Sequence, residues 1–107
     1  MTTLGSRLTE IITGNRGGSM TPTVETSGLY AANLLIRELN ERWSAIGQTQ
    51  AKFTSLDDEV TYDERYMGAF IAGLEYTLSK RGVMMQEAAI TRDQFKEELT
   101  LVRFPEV

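Results

Sequence analysis

The stretch from Thr21 to Gly47 constrains this chain more than any other. Thr21-Pro22 reads as a helix start. Thr21 offers an N-cap oxygen, and Pro22 falls at N1, where its missing N–H costs nothing. Glu25 in the first turn suits the positive end of the helix dipole. Small or apolar residues then recur at Gly28, Ala32, Leu35, Leu39, Trp43 and Ile46, with Leu34 and Ile36 widening the stripe. Arg37, Glu38, Glu41 and Arg42 fall on the other side. Gly47 suits the left-handed residue that closes a helix. The spacing predicts one helix of about 24 residues over 22–46. Such a helix needs other elements against its apolar stripe, so the remaining patterns decide the fold class.

Those patterns are mostly helical. Residues 3–13 place Leu4, Leu8, Ile11 and Ile12 at helical spacing after Thr2 or Thr3 as a cap, with Gly14 as the expected stop. Gly14 to Ser19 is rich in turn formers and reads as a flexible loop around Arg16. Neither GxxxxGK[ST] nor GxGxxG spacing marks it as a phosphate cradle. Thr61-Tyr62-Asp63-Glu64 matches a T-x-x-E capping box and predicts a third helix over 62–81. Tyr62, Tyr66, Ala69, Phe70, Gly73, Leu74 and Thr77 make one face of it, and Met67, Ile71 and Leu78 a second. A helix apolar on two faces is buried, or serves a core and a partner at once. Trp43, Tyr66, Met67, Phe70, Ile71 and Leu74 are therefore candidates for the core or for a subunit interface. The small residues Gly68, Ala69, Ala72 and Gly73 allow another helix to approach closely. Gly82 should end this helix after Lys80 and Arg81.

A fourth helix is expected over 84–101, with Met85, Ala88, Phe95, Leu99 and Val102 in line and Arg92 falling within the stripe, where it would snorkel or pair. Pro105 disfavours helical geometry at Phe104, so the helix cannot continue through the last residues. The sum is an all-α chain of about four helices, two of them long. A short extended or hairpin-like excursion fills 48–60, where Ala51 to Leu56 could form half of a hairpin. Residues 1–100 form one domain, and 101–107 an extended C-terminal tail. Leu101, Val102, Phe104 and Val107 make that tail oddly apolar. It docks either on its own domain or on another protein.

The 107 residues include no His and no Cys. That excludes disulfides, the usual zinc and haem ligand sets, and Ser-His or Cys-His nucleophiles. Fifteen acids against eleven bases give a net charge of −4, which argues against a dedicated nucleic-acid binder. Carboxylate pairs occur at Asp57/Asp58, Asp63/Glu64 and Glu97/Glu98. Adjacent side chains on a helix point about 100° apart, so the pairs do not form facing dyads, and an acid-dyad hydrolase has little support. No catalytic residue is assigned. The acids from Asp57 to Glu64 lack the alternating ligands, central Gly and closing Glu of a calcium loop, so no metal or cofactor is expected. Asp57, Asp58 and Glu59 read instead as a solvated turn. No run approaches the roughly 18 apolar residues of a membrane span, and the first residues lack the pattern of a signal peptide.

The order of elements resembles a known family. A short first helix and a Gly-rich loop precede a helix carrying Leu35, Leu39-Asn40 and Trp43-Ser44-Ala45-Ile46-Gly47. An extended insert and an acidic turn follow, then Ala69-Phe70-Ile71-Ala72-Gly73-Leu74. This resembles the head–tail adaptors of tailed phages, in particular the packaged-DNA stabilisation proteins, or tail accessory factors, of short-tailed phages. The resemblance spans roughly residues 3–100 and rests on helix-packing motifs. Val60-Thr61 stands where that family often has a Pro, and the segment after the fourth helix is short.

The resemblance implies a structural connector without catalysis. Copies would form a ring beneath the portal protein, usually a dodecamer, that extends the DNA channel and docks tail or neck proteins. DNA would be only passing cargo, and no membrane would be involved. The location implied is the virion neck, after assembly in the bacterial host cytoplasm. The tail residues Leu101, Val102, Arg103, Phe104, Pro105 and Val107 would reach the portal. Asp57, Asp58 and Glu59 would face the channel or solvent, where acidic walls repel phosphates. The alternative is a small helical regulator or chaperone that binds one protein partner.

Overall fold

A computed structural model describes residues 3–16, 21–81 and 88–101. The fold is all-α. Its helices are α1 (Leu4–Arg16), α2 (Pro22–Trp43), α3 (Glu64–Lys80) and α4 (Ala88–Leu101). The long helix starts and stops as its sequence dictates. Thr21 is extended, and its hydroxyl accepts the Val24 N–H at 3.2 Å. A 3-10 turn, Ser44–Ile46, follows Trp43 and closes on Gly47 at φ 82°. Only Gly adopts that conformation without cost.

α2 buries Gly28, Ala31, Ala32, Leu35, Ile36, Leu39 and Trp43. Leu34 was expected to widen the stripe but lies at its solvent edge. It sits one residue, about 100° of rotation, from Leu35 at the centre of the buried face. α3 is buried on both of its apolar faces, between α2 and α4. Gly73 marks the junction: a Cβ there would stand 2.7 Å from Leu35 Cδ1 and 2.8 Å from Phe95 Cε1. α1 packs across α2 and α3 through the buried Leu4, Leu8, Ile11 and Ile12. A Cβ on Gly28 would overlap the Leu8 side chain, so α1 approaches α2 as closely as that glycine permits.

Three local expectations fail. α1 runs through Gly14 to Arg16, because one interior Gly costs only about 1 kcal/mol and the buried Ile11 and Ile12 hold its last turns. α3 begins at Glu64 with Asp63 as its N-cap residue, and the capping box does not form. The Thr61 hydroxyl is instead engaged by Thr49 and Gln50. The excursion over 48–60 is not half of a hairpin. Among the described residues its β pairing is one isolated antiparallel bridge between Thr3 and Glu59. Arg92 does what its place in the stripe called for: it reaches solvent and pairs, with its Nε 3.6 Å from Asp93, while the neighbouring Thr91 is buried. Residues 17–19 of the expected loop, the helix stop at Gly82, Met85 and the tail from Val102 lie outside the described residues.

Candidate interaction site

The chain between α2 and α3 crosses the molecule as a strap, and side-chain amides take the place of a partner strand. Extended backbone must find partners for its N–H and C=O groups. Asn33 and Asn40 lie two helical turns apart on α2 and each grips one strap residue twice. Asn33 Nδ2 donates to the Phe53 carbonyl at 2.9 Å, and the Phe53 N–H donates to Asn33 Oδ1 at 2.8 Å. Asn40 makes the same pair of bonds with Gln50, both at 2.9 Å. The Gln50 side chain is buried and spans the strap. Its Nε2 donates to the Ala51 and Glu59 carbonyls, and its Oε1 accepts the Thr61 N–H and hydroxyl. Gln48 and Asp63 close the far end by another reciprocal pair, each bond 2.8 Å long.

Apolar anchors hold the same strap from within. Phe53, Val60 and Tyr62 are buried. Phe53 packs against Phe70 with ring centroids 6.4 Å apart. Trp43 stands edge-on to Tyr62 at 5.3 Å and tilted to Tyr66 at 4.9 Å. The Tyr62 hydroxyl donates to Asn40 Oδ1 at 2.8 Å, and burial pushes its phenol well above the ordinary range.

The turn at 54–58 is fixed by its own acid. Asp58 Oδ2 accepts the Thr54 N–H at 2.7 Å, the Thr54 hydroxyl at 3.1 Å and the Ser55 N–H at 3.1 Å. The Thr54 N–H is the main influence holding its carboxyl below the usual range; desolvation opposes it, and the Ser55 N–H and Thr54 hydroxyl add to the lowering. The carbonyls of this turn then serve α1. The Leu4 N–H donates to Asp58 O and the Gly5 N–H to Leu56 O, satisfying donors that a helix start leaves without partners. A Cβ on Gly5 would come 3.0 Å from that Leu56 oxygen. Asp57 and Glu59 point away and are exposed.

On the outer side of α2 the strap borders a groove of about 460 Å³. Tyr30, Leu34 and Ile36 give it an apolar lining, and Arg37 and Lys52 add cations. Tyr30 is 52% exposed and Leu34 36%. A smaller groove beyond Leu34 adds Lys80 and Arg81, and Arg81 stacks over the Tyr30 ring at 4.4 Å.

The site residues expected from the sequence fall into three groups. Trp43, Tyr66, Met67, Phe70 and Leu74 are buried within this chain, and Ile71 is half-buried against the same core. Asp57 and Glu59 are solvent-facing, whereas Asp58 is bound into its turn. Leu101 ends α4, and Val102, Arg103, Phe104, Pro105 and Val107 lie outside the described residues. Sequence reasoning missed Asn33, Gln50 and the groove around Tyr30 and Leu34, and singled out Asn40 only as part of the Leu39-Asn40 motif, not for its hold on the strap. The asparagines carried one signal: polar residues on the buried flank of an otherwise regular stripe. Among the described residues, no group of three or more His, Cys, Asp or Glu side chains could hold a metal ion, and no helix is long and apolar enough to cross a membrane. No protein-family model, curated protein or solved structure matches this chain.

Proposed function

We propose that this chain is a structural head–tail connector of a tailed phage, forming a ring under the portal and docking tail components. One observation carries the reading. The segments that resemble such adaptors, Leu39-Asn40 with Trp43 to Gly47 and Ala69 to Leu74, are remote in sequence yet are bridged by one residue, Tyr62, which touches Trp43, Asn40 and Phe70. Trp43 packs on Tyr66, Asn40 holds the strap and Tyr62, and Phe70 receives Phe53 and Tyr62. The motifs thus belong to one packed core, which supports reading them as structural rather than chemical. The acidic balance suits a wall past which DNA slides.

The test mixes the purified chain with the portal protein of the same genome. A ring of copies on the portal, seen by electron microscopy, is the expected result. A stable dimer indifferent to the portal overturns the reading. The basic, apolar groove beside Tyr30 favours a second reading, a small helical protein that holds one acidic partner. That reading predicts a one-to-one complex and no ring.

A further inference from the structure

Four of the eleven basic residues of this acidic chain border one exposed apolar strip. Arg37 and Lys52 flank Tyr30 and Leu34 on the strap side, and Lys80 and Arg81 on the α3 side. Arg37 and Lys52 form no ion pair among the described residues. Elsewhere the chain carries a surface of the opposite kind. Asp57 and Glu59 are exposed, and their carboxylates have no hydrogen bond or ion pair among the described residues. Leu56 beside them is only half-buried. This acidic turn is already rigid, because Asp58 ties Thr54 and Ser55 and the turn's carbonyls hold the start of α1.

We infer that the turn Leu56 to Glu59 of one copy docks in the Tyr30–Lys52 groove of a second copy. Asp57 and Glu59 meet Arg37 and Lys52, and Leu56 faces Leu34. Three physical arguments select this occupant. The charges are complementary, and among the described residues Arg37, Lys52, Asp57 and Glu59 form no ion pair. The groove, about 460 Å³, offers room for side chains of a protruding partner segment. The turn's fixed backbone removes much of the ordering cost of binding. A nucleic-acid strand would satisfy the cations but would make no use of the apolar Leu34, and Arg81 already covers the Tyr30 ring.

The contact does not depend on the portal. A closed dimer built on it would leave the contact standing and overturn the ring. A ring on the portal with these residues unconnected would do the reverse.

Sedimentation velocity of the full chain over a concentration series tests it, at low and raised ionic strength. Self-association weakened by salt is expected. Arg37→Glu with Lys52→Glu should weaken it about tenfold or more, the scale of a lost charge pair. Adding Asp57→Lys and Glu59→Lys to that chain should restore it. Circular dichroism checks that each variant keeps its helices. The chain has no Cys, which gives a second readout. A Leu34→Cys chain mixed with an Asp57→Cys chain should form a disulfide-linked heterodimer well above the homodimers of either. A monomer at every concentration, charge reversal without effect, or no excess of heterodimer overturns the contact. So does a charge reversal that abolishes binding to duplex DNA while leaving self-association intact.

Discussion

Single residues set the geometry of the strap. Asn40 supports three hydrogen bonds, two to Gln50 and one from the Tyr62 hydroxyl. Asn40→Ala leaves those groups partly buried without partners, and should cost about 2–4 kcal/mol in urea unfolding. Trp43→Ala opens a cavity between Tyr62 and Tyr66 and should cost about 3–5 kcal/mol by the same measurement. Asp58 makes a prediction in pH. Its folded carboxyl titrates below the unfolded one, so its contribution is fully present above the unfolded value, about pH 4. The contribution is lost as pH falls through the lower folded value. Asp58→Asn should therefore flatten the acid side of the stability curve, read from thermal midpoints between about pH 2 and 5. These roles were poorly legible in sequence. Thr61 and Glu64 had the spacing of a capping box, but the buried Gln50 took the Thr61 hydroxyl first. An unpartnered amide in the interior costs more than an uncapped helix start near solvent.

Elements pack here according to where side chains are smallest. α3 shows this with two glycines on different sides. Gly73 lies between Leu35 and Phe95, so Gly73→Ala overpacks that junction and should lower stability by about 1–3 kcal/mol. Gly68 is exposed, and a Cβ there meets only the flexible end of Glu98, at 2.7 Å. Gly68→Ala should therefore raise stability by about 0.5–1 kcal/mol through its helix propensity. Denaturant midpoints of the two variants should move in opposite directions. At this scale the sequence was most readable. Thr21, Pro22 and Gly47 bounded the long helix correctly, and the two apolar faces of α3 are both buried. The strap was not readable. Its backbone partners are side chains of α2 ten and twenty residues away, and no local period encodes them.

For the whole molecule, the proposed connector role makes the last residues a docking segment. Deleting Phe104 to Val107 should leave the helical signal and thermal midpoint unchanged while reducing retention on the portal. Co-sedimentation with portal rings measures the second effect. Loss of the helical signal would instead make the tail part of the core. By itself the sequence determined the helices, both ends of α2 and most of the buried faces. These follow from periods of three and four residues and from the backbone preferences of Thr, Pro and Gly, all local physics. The missing His and Cys also set aside disulfides and imidazole or thiol chemistry. Only the tertiary structure decided which polar residues were structural. Asn33, Asn40, Gln50 and Asp58 look like solvated side chains until the strap is laid against α2 and α1. Only there do unsatisfied backbone groups meet the amides and carboxylate that complete them, because hydrogen-bond partners are fixed by position in space rather than by separation along the chain.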